Sequence, residues 1–152
     1  MMNSSRSDAE IISAFRSKGF KATSQRIAIC RHVLCSEEHP NAQRIYDEVQ
    51  RTHPTVSLAT VYKTLAVLKE LNLIQELLVK QGEARYDPIV VPHLNLICNR
   101  CGVVRDVKDG NLKIIIENAA KLARFSPSGQ SFIIYGLCNI CKAIKDSARD
   151  VK

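Results

Sequence analysis

Apolar positions in the first half of the chain recur every three to four residues, the spacing of amphipathic helices. Ile11, Ile12 and Phe15 follow Ser7 and Glu10, whose separation is that of a capping box, and Gly19 marks the end of this first helix. A second helix is predicted over "TSQRIAICRHVL", with Ile27, Cys30 and Leu34 at helical spacing. Asn41 is placed to cap "AQRIYDEVQRTH", where Ile45 and Val49 share a face and Pro54 follows the end. Ser57 caps the clearest helix, "LATVYKTLAVLKEL": Val61, Leu65, Leu68 and Leu71 form one apolar stripe, and Thr60, Lys63 and Lys69 lie opposite.

The period then changes. "IQELLVK", the turn "QGE" and "ARYD" read as a two-stranded hairpin, and helices followed by a hairpin are the elements of a winged helix-turn-helix. "DPIVVPH" carries two prolines and is the expected hinge. Beyond it "LNLIC" and "VVRDV" read as strands, "LKIIIENAAKLARF" as an amphipathic helix, "SFIIYGLC" as a further strand, and Lys142 to Lys152 as a polar tail with helical potential. The expected class is α+β, with a winged-helix domain over residues 1–87, a hinge over 88–92 and a smaller α/β domain over 93–152.

Length and composition allow one medium domain or two small ones with a real core. No apolar run approaches the roughly 20 residues that span a bilayer, and "MMNSSRSDAEII" lacks the apolar stretch of a signal peptide. The expectation is a cytoplasmic protein with no membrane partner, in which six cysteines serve thiol or metal chemistry rather than disulfides. The formal net charge of +7 favours a polyanionic partner. Residues 1–87 carry 12 basic against 10 acidic side chains and residues 88–152 carry 10 against 5. Any nucleic-acid contact in the first domain therefore rests on local clusters.

Cys98 with Cys101 and Cys138 with Cys141 form two Cys-x-x-Cys knuckles, each at the end of a predicted strand. Four thiolates in this arrangement suit a closed, tetrahedral zinc site. The competing reading is a thiol oxidoreductase, but a redox dithiol belongs at a helix start and leaves the second pair unexplained. One tightly held zinc per chain would leave no dithiol free for exchange. Cys30 and Cys35 have no partner motif and read as small buried hydrophobes. His93 and Asn95 alternate on a strand and so share a face. Taken singly they read as ordinary polar residues, as do His39 in its loop, His32 and His53 in surface or capping roles, and Asp87 and Asp106 as solvated carboxylates.

In order along the chain, "TSQR", "HPNAQRIYDEV", "SLATVYKTLAVL", "RYD", "HLNLICNRCG" and "YGLCNIC" resemble the ferric uptake regulator family of metal-dependent transcriptional repressors, from about Phe15 to Cys141. The resemblance implies a winged helix, a hinge and an α/β domain that forms a homodimer, with structural zinc on Cys98, Cys101, Cys138 and Cys141. It also implies a regulatory Fe(II) or Mn(II) site on His39, Asp87, His93, Asn95 and Asp106, though the family normally carries His where Asn95 stands. Imidazoles and carboxylates suit those two ions better than zinc. Asp rather than Glu at position 106 is similar to the peroxide-sensing branch, in which the oxidant formed at Fe(II) modifies a ligand histidine; His39 and His93 occupy those positions. The alternative within the family is an Fe, Mn or Zn uptake regulator that uses no oxidation.

The same resemblance implies that the helix from Ser57 to Leu71 lies in the major groove of a palindromic double-stranded operator. Ser57, Leu58, Ala59, Thr60, Tyr62 and Lys63 would face base edges. Lys18, Lys21 and Arg26 would meet phosphates or the minor groove, and Lys80 and Arg85 would sit on the wing.

Overall fold

The computed structural model describes residues 7–79, 82–127 and 131–147. The chain divides into two compact units, one of Met1–Leu78 with Gly82–Val90 and the other of Val79–Gln81 with Val91–Lys152.

The first unit opens with α1 (Asp8–Ser17), whose N-cap Ser7 and Glu10 satisfy each other's backbone N–H groups reciprocally. Gly19, at φ +77°, turns the chain out of it. Thr23, Asn41 and Ser57 then cap α2 (Ser24–Leu34), α3 (Ala42–Gln50) and α4 (Leu58–Glu70), each side chain accepting from a backbone N–H of the first turn. β1 (Gln75–Leu78) and β2 (Ala84–Asp87) pair antiparallel, with Gln75 opposite Asp87. Ile11, Phe15, Ile29, Val33, Ile45, Val61, Leu65 and Leu68 are fully or almost fully buried in one cluster.

Two details differ from the sequence pattern. On α2 the buried residues are Ile29, Cys30, Val33 and Leu34, and Ile27 is only half-buried. This helix packs against α1, α3 and α4, so it buries a wide arc, and at about 100° per residue Ile27 falls on the rim beside Leu34. On α4 the polar Thr64 is completely buried; its hydroxyl donates to the Thr60 carbonyl at 2.8 Å, which removes the cost of burying it.

The second unit holds β3 (Leu94–Cys98), β4 (Val104–Val107), α5 (Asn111–Ala123), β5 (Phe132–Gly136) and α6 (Asn139–Ser147). The sheet order is β4-β3-β5, with β3 antiparallel to β4 and parallel to β5. A parallel pair requires a long crossover, and β4 and α5 lie within it. α6 begins at Asn139, inside the second Cys-x-x-Cys, earlier than the tail expected from Lys142; residues 148–152 of that tail lie outside the described ones. On the single chain Ile114, Ile115, Leu122 and Phe125 of α5 and its exit, with Ile134 of β5, are exposed. Among the described residues no helix is long and apolar enough to cross a membrane.

Candidate metal centres

The two knuckles meet. Cys98 closes β3, Cys101 sits in the turn made possible by Gly102 at φ +72°, Cys138 follows β5 and Cys141 lies in α6. Their four sulfurs lie within 4.8 Å of one another, and Cys101 Sγ is 3.8 Å from Cys138 Sγ. Zinc–sulfur bonds of about 2.3 Å at tetrahedral angles place neighbouring sulfurs about 3.8 Å apart, so the donor set fits zinc. The backbone N–H of Cys138 donates to Cys98 Sγ at 3.4 Å. That bond first, then those from Cys101 and Arg100, pulls the Cys98 thiol down to about 6, while burial pushes Cys141 up to about 12. A divalent cation favours the thiolate at all four positions and removes this disparity.

The remaining donors form one group in each unit. In the first, His39 occupies the loop before α3 in the left-handed region, φ +48°, uncommon for a residue with a side chain. Its carbonyl accepts from the Arg85 guanidinium at 3.4 Å, and the neighbouring Pro40 carbonyl accepts from the Tyr86 N–H at 3.0 Å, which ties the loop to β2. Asp87 ends β2 fully buried. Its Oδ1 accepts from the Ile89 N–H and its Oδ2 from Gln75 Nε2, both at 2.7 Å. The same Oδ1 is 3.7 Å from His39 Nε2.

In the second unit Asn95 stands opposite Asp106 in the β3–β4 register. His93 Nε2 is 3.1 Å from Asn95 Nδ2 and 3.8 Å from Asp106 Oδ1. His93 and Asn95 are buried, and the Asp106 side chain is only 20% exposed. Asn95 Oδ1 is buried with no hydrogen-bond partner among the described residues. A buried carbonyl oxygen left this way, beside an imidazole and a carboxylate, is the chemistry of a site that accommodates a hard divalent cation.

The solvated reading of Asp87 and Asp106 is therefore wrong, and His39, read singly as an ordinary polar loop residue, is buried. Nothing in the sequence pattern singles out Gln75, which holds Asp87 from across the hairpin through its register position. Of the two other cysteines, Cys30 is buried as expected but Cys35, the C-cap of α2, is exposed. His32 is half-buried, and desolvation lowers its pKa. His53 is likewise half-buried, with Nδ1 3.0 Å from Thr52 Oγ1.

At the start of α4, Ser57, Ala59, Tyr62 and Lys63 are exposed, while Leu58 and Thr60 are half-buried. Tyr62 is 53% exposed and does not belong to the core. Ser57 Oγ is engaged in capping the Thr60 N–H at 3.1 Å. Lys18 and Lys21 are exposed, and half-buried Arg26 donates to the Lys21 carbonyl at 2.7 Å. Arg85 is committed to Glu83 and to the His39 carbonyl, which makes it a loop anchor rather than an outstretched wing cation. Lys80 lies outside the described residues.

The sequence profile of the Ferric uptake regulator family matches residues 17–135. The chain belongs to that family. The peroxide-responsive repressor PerR of Staphylococcus epidermidis is 32% identical over 133 residues, 88% of this chain and 89% of that protein. Among solved structures, the Campylobacter jejuni peroxide stress regulator superposes with a TM-score of 0.70 at 29% identity, over 90% of this chain and 100% of the other. The Helicobacter pylori ferric uptake regulator Fur reaches 0.73 at 19% identity, over 91% and 95%, a likeness of fold. Ferric uptake regulator proteins are metal-responsive regulators, and this chain is one of that family.

Proposed function

We propose that this protein is a homodimeric repressor that senses hydrogen peroxide through Fe(II), or is held on DNA by Mn(II), with His39, Asp87, His93, Asn95 and Asp106 as the regulatory donor set. The observation that carries the reading is the buried His93–Asn95–Asp106 group, whose oxygen and imidazole donors suit these ions. The peroxide-responsive relatives support it further. Bound ferrous iron would supply the reduction of peroxide and deliver one oxygen atom to an adjacent imidazole. The chain's own part is positional: Gln75 and the Ile89 N–H hold Asp87, the Val91 carbonyl orients His93, and β-pairing sets Asn95 against Asp106. The exposed first turns of α4 would read base edges of a palindromic operator, with Lys18, Lys21 and Arg26 on the backbone.

A specific observation favours a second reading. Asn95 replaces the imidazole usual in the family, and a weaker neutral donor suits a regulator that exchanges its metal with the cell's supply and uses no oxidation. The two readings separate cleanly. Protein purified without oxygen and loaded with Fe(II) should, after peroxide, carry one added oxygen on His39 or His93 by mass spectrometry and leave its operator. The Mn(II) form should stay bound. Unmodified histidines and full operator affinity in the Fe(II) form would replace peroxide sensing by metal-uptake regulation.

A further inference from the structure

His93 Nδ1 lies 2.9 Å from the carbonyl oxygen of Val91. A carbonyl only accepts, so Nδ1 carries the proton, and in the neutral ring the lone pair is on Nε2. The group 3.1 Å from that lone pair is Nδ2 of Asn95, which can only donate. Asp106 Oδ1 lies 3.8 Å from the same nitrogen. Asn95 thus caps the His93 atom that a metal would need. At the other end of the same amide, Oδ1 is buried and receives no hydrogen bond from any described residue.

We propose that Asn95 is a toggle on His93: without metal its Nδ2 caps Nε2, and with metal its amide turns over so that Oδ1 joins Nε2 on one ion. The inference rests on the reading of this group as part of the regulatory site. Its geometry is favourable. A half-turn of the amide exchanges its nitrogen and oxygen with no backbone movement. The oxygen then stands where Nδ2 stands now, 3.1 Å from Nε2. Adjacent donors around an octahedral ion, each about 2.1 Å from it, are about 3 Å apart. The turn breaks one hydrogen bond and moves the amide N–H group to the place the carbonyl holds now, so the new bond from Oδ1 to the ion must offset both. It also favours cations that accept a neutral carbonyl oxygen, such as Mn(II) and Fe(II), over those that prefer sulfur. A histidine at position 95 could ligate but could not cap and then ligate through such a half-turn, so the toggle belongs to this chain's departure from its family.

The test uses full-length protein and Mn(II). Without Mn(II), long-range 1H–15N correlation should show His93 protonated at Nδ1 and bare at Nε2, with one Asn95 side-chain N–H shifted downfield and slow to exchange. A proton on Nε2 overturns the proposal, and this arm needs no variant. Mn(II) binding followed by loss of the free-ion EPR signal should be several-fold faster in both association and dissociation for Asn95→Ala, because cap and ligand are lost together. Faster association alone would leave Asn95 a cap, and faster dissociation alone a ligand; either result sinks the toggle. Asn95→Asp, which cannot donate but keeps an oxygen, should associate faster and dissociate more slowly; unchanged association would sink it too. His93→Ala tests the underlying site separately: if it binds Mn(II) as well as the unmodified protein, the site reading fails whatever Asn95 does.

Discussion

Burial pushes the Cys30 thiol up to about 12, and the nearby Arg26 charge offsets only part of the cost of a thiolate there. Cys35, at the end of the same helix, is exposed. Iodoacetamide at neutral pH should therefore alkylate Cys35 in the native protein and reach Cys30 only after denaturation, as read by peptide mass spectrometry; labelling of native Cys30 would contradict its burial. The sequence sets Cys30 on the apolar spacing of a helix and Cys35 just past its end, and the exposure of the second depends on neighbours that only the fold supplies. The same limit hides the candidate metal donors. Asp87 is held by Gln75, 12 residues earlier in the chain, and Asn95 faces Asp106 across the β3–β4 pairing. Burial of such side chains depends on partners that only the folded register supplies, so each looks solvated when read alone. The four cysteines of the two knuckles escape this limit because their spacing is itself the signal.

Helix α4 buries one face and exposes the other, and under the proposed function substitutions should divide accordingly. Leu65 is 1% exposed, so Leu65→Ala should cost about 2–5 kcal/mol in urea unfolding. Tyr62→Ala on the exposed face should stay within about 0.5 kcal/mol of the parent. On DNA the order reverses: Tyr62→Ala should weaken the operator more than random DNA, whereas Lys21→Ala should weaken both and flatten the salt dependence. Equal losses for Tyr62 on both DNAs would remove it from base recognition. Helices α1, α3 and α4 were legible because cap, period and stop agree along each. On α2 the predicted stripe holds at Cys30 and Leu34, and three neighbours widen the buried arc to Ile29 and Val33, leaving Ile27 on its rim. The start of α6 was missed because its first turn overlaps the second Cys-x-x-Cys, and the metal pattern masks the helical one.

At the scale of the molecule, two units of different construction follow one another, the first mostly helical and locally connected, the second organised by strands far apart in sequence. The strands themselves were visible as apolar runs, but their order was not, because pairing is a non-local property. One clue existed: both knuckles follow strands, so the C-terminal ends of β3 and β5 must meet, and the strands run parallel. Loss of the zinc site should accordingly reach beyond it. Cys98→Ser is expected to release zinc and dissociate the dimer, and a stable zinc-free dimer would contradict a structural role. The β3–β5 pairing has a further consequence, for the rate of folding. Cys101 and Cys138 are 37 residues apart in the chain, and parallel strands joined by so long a crossover are slow to find each other. An ion already gripping both knuckles shortens that search by fixing the two strand ends together before the sheet exists. Refolding from urea should therefore be faster when zinc stays on the thiolates than after chelation. Equal rates would mean that the strands pair first and the sulfurs close on an assembled sheet.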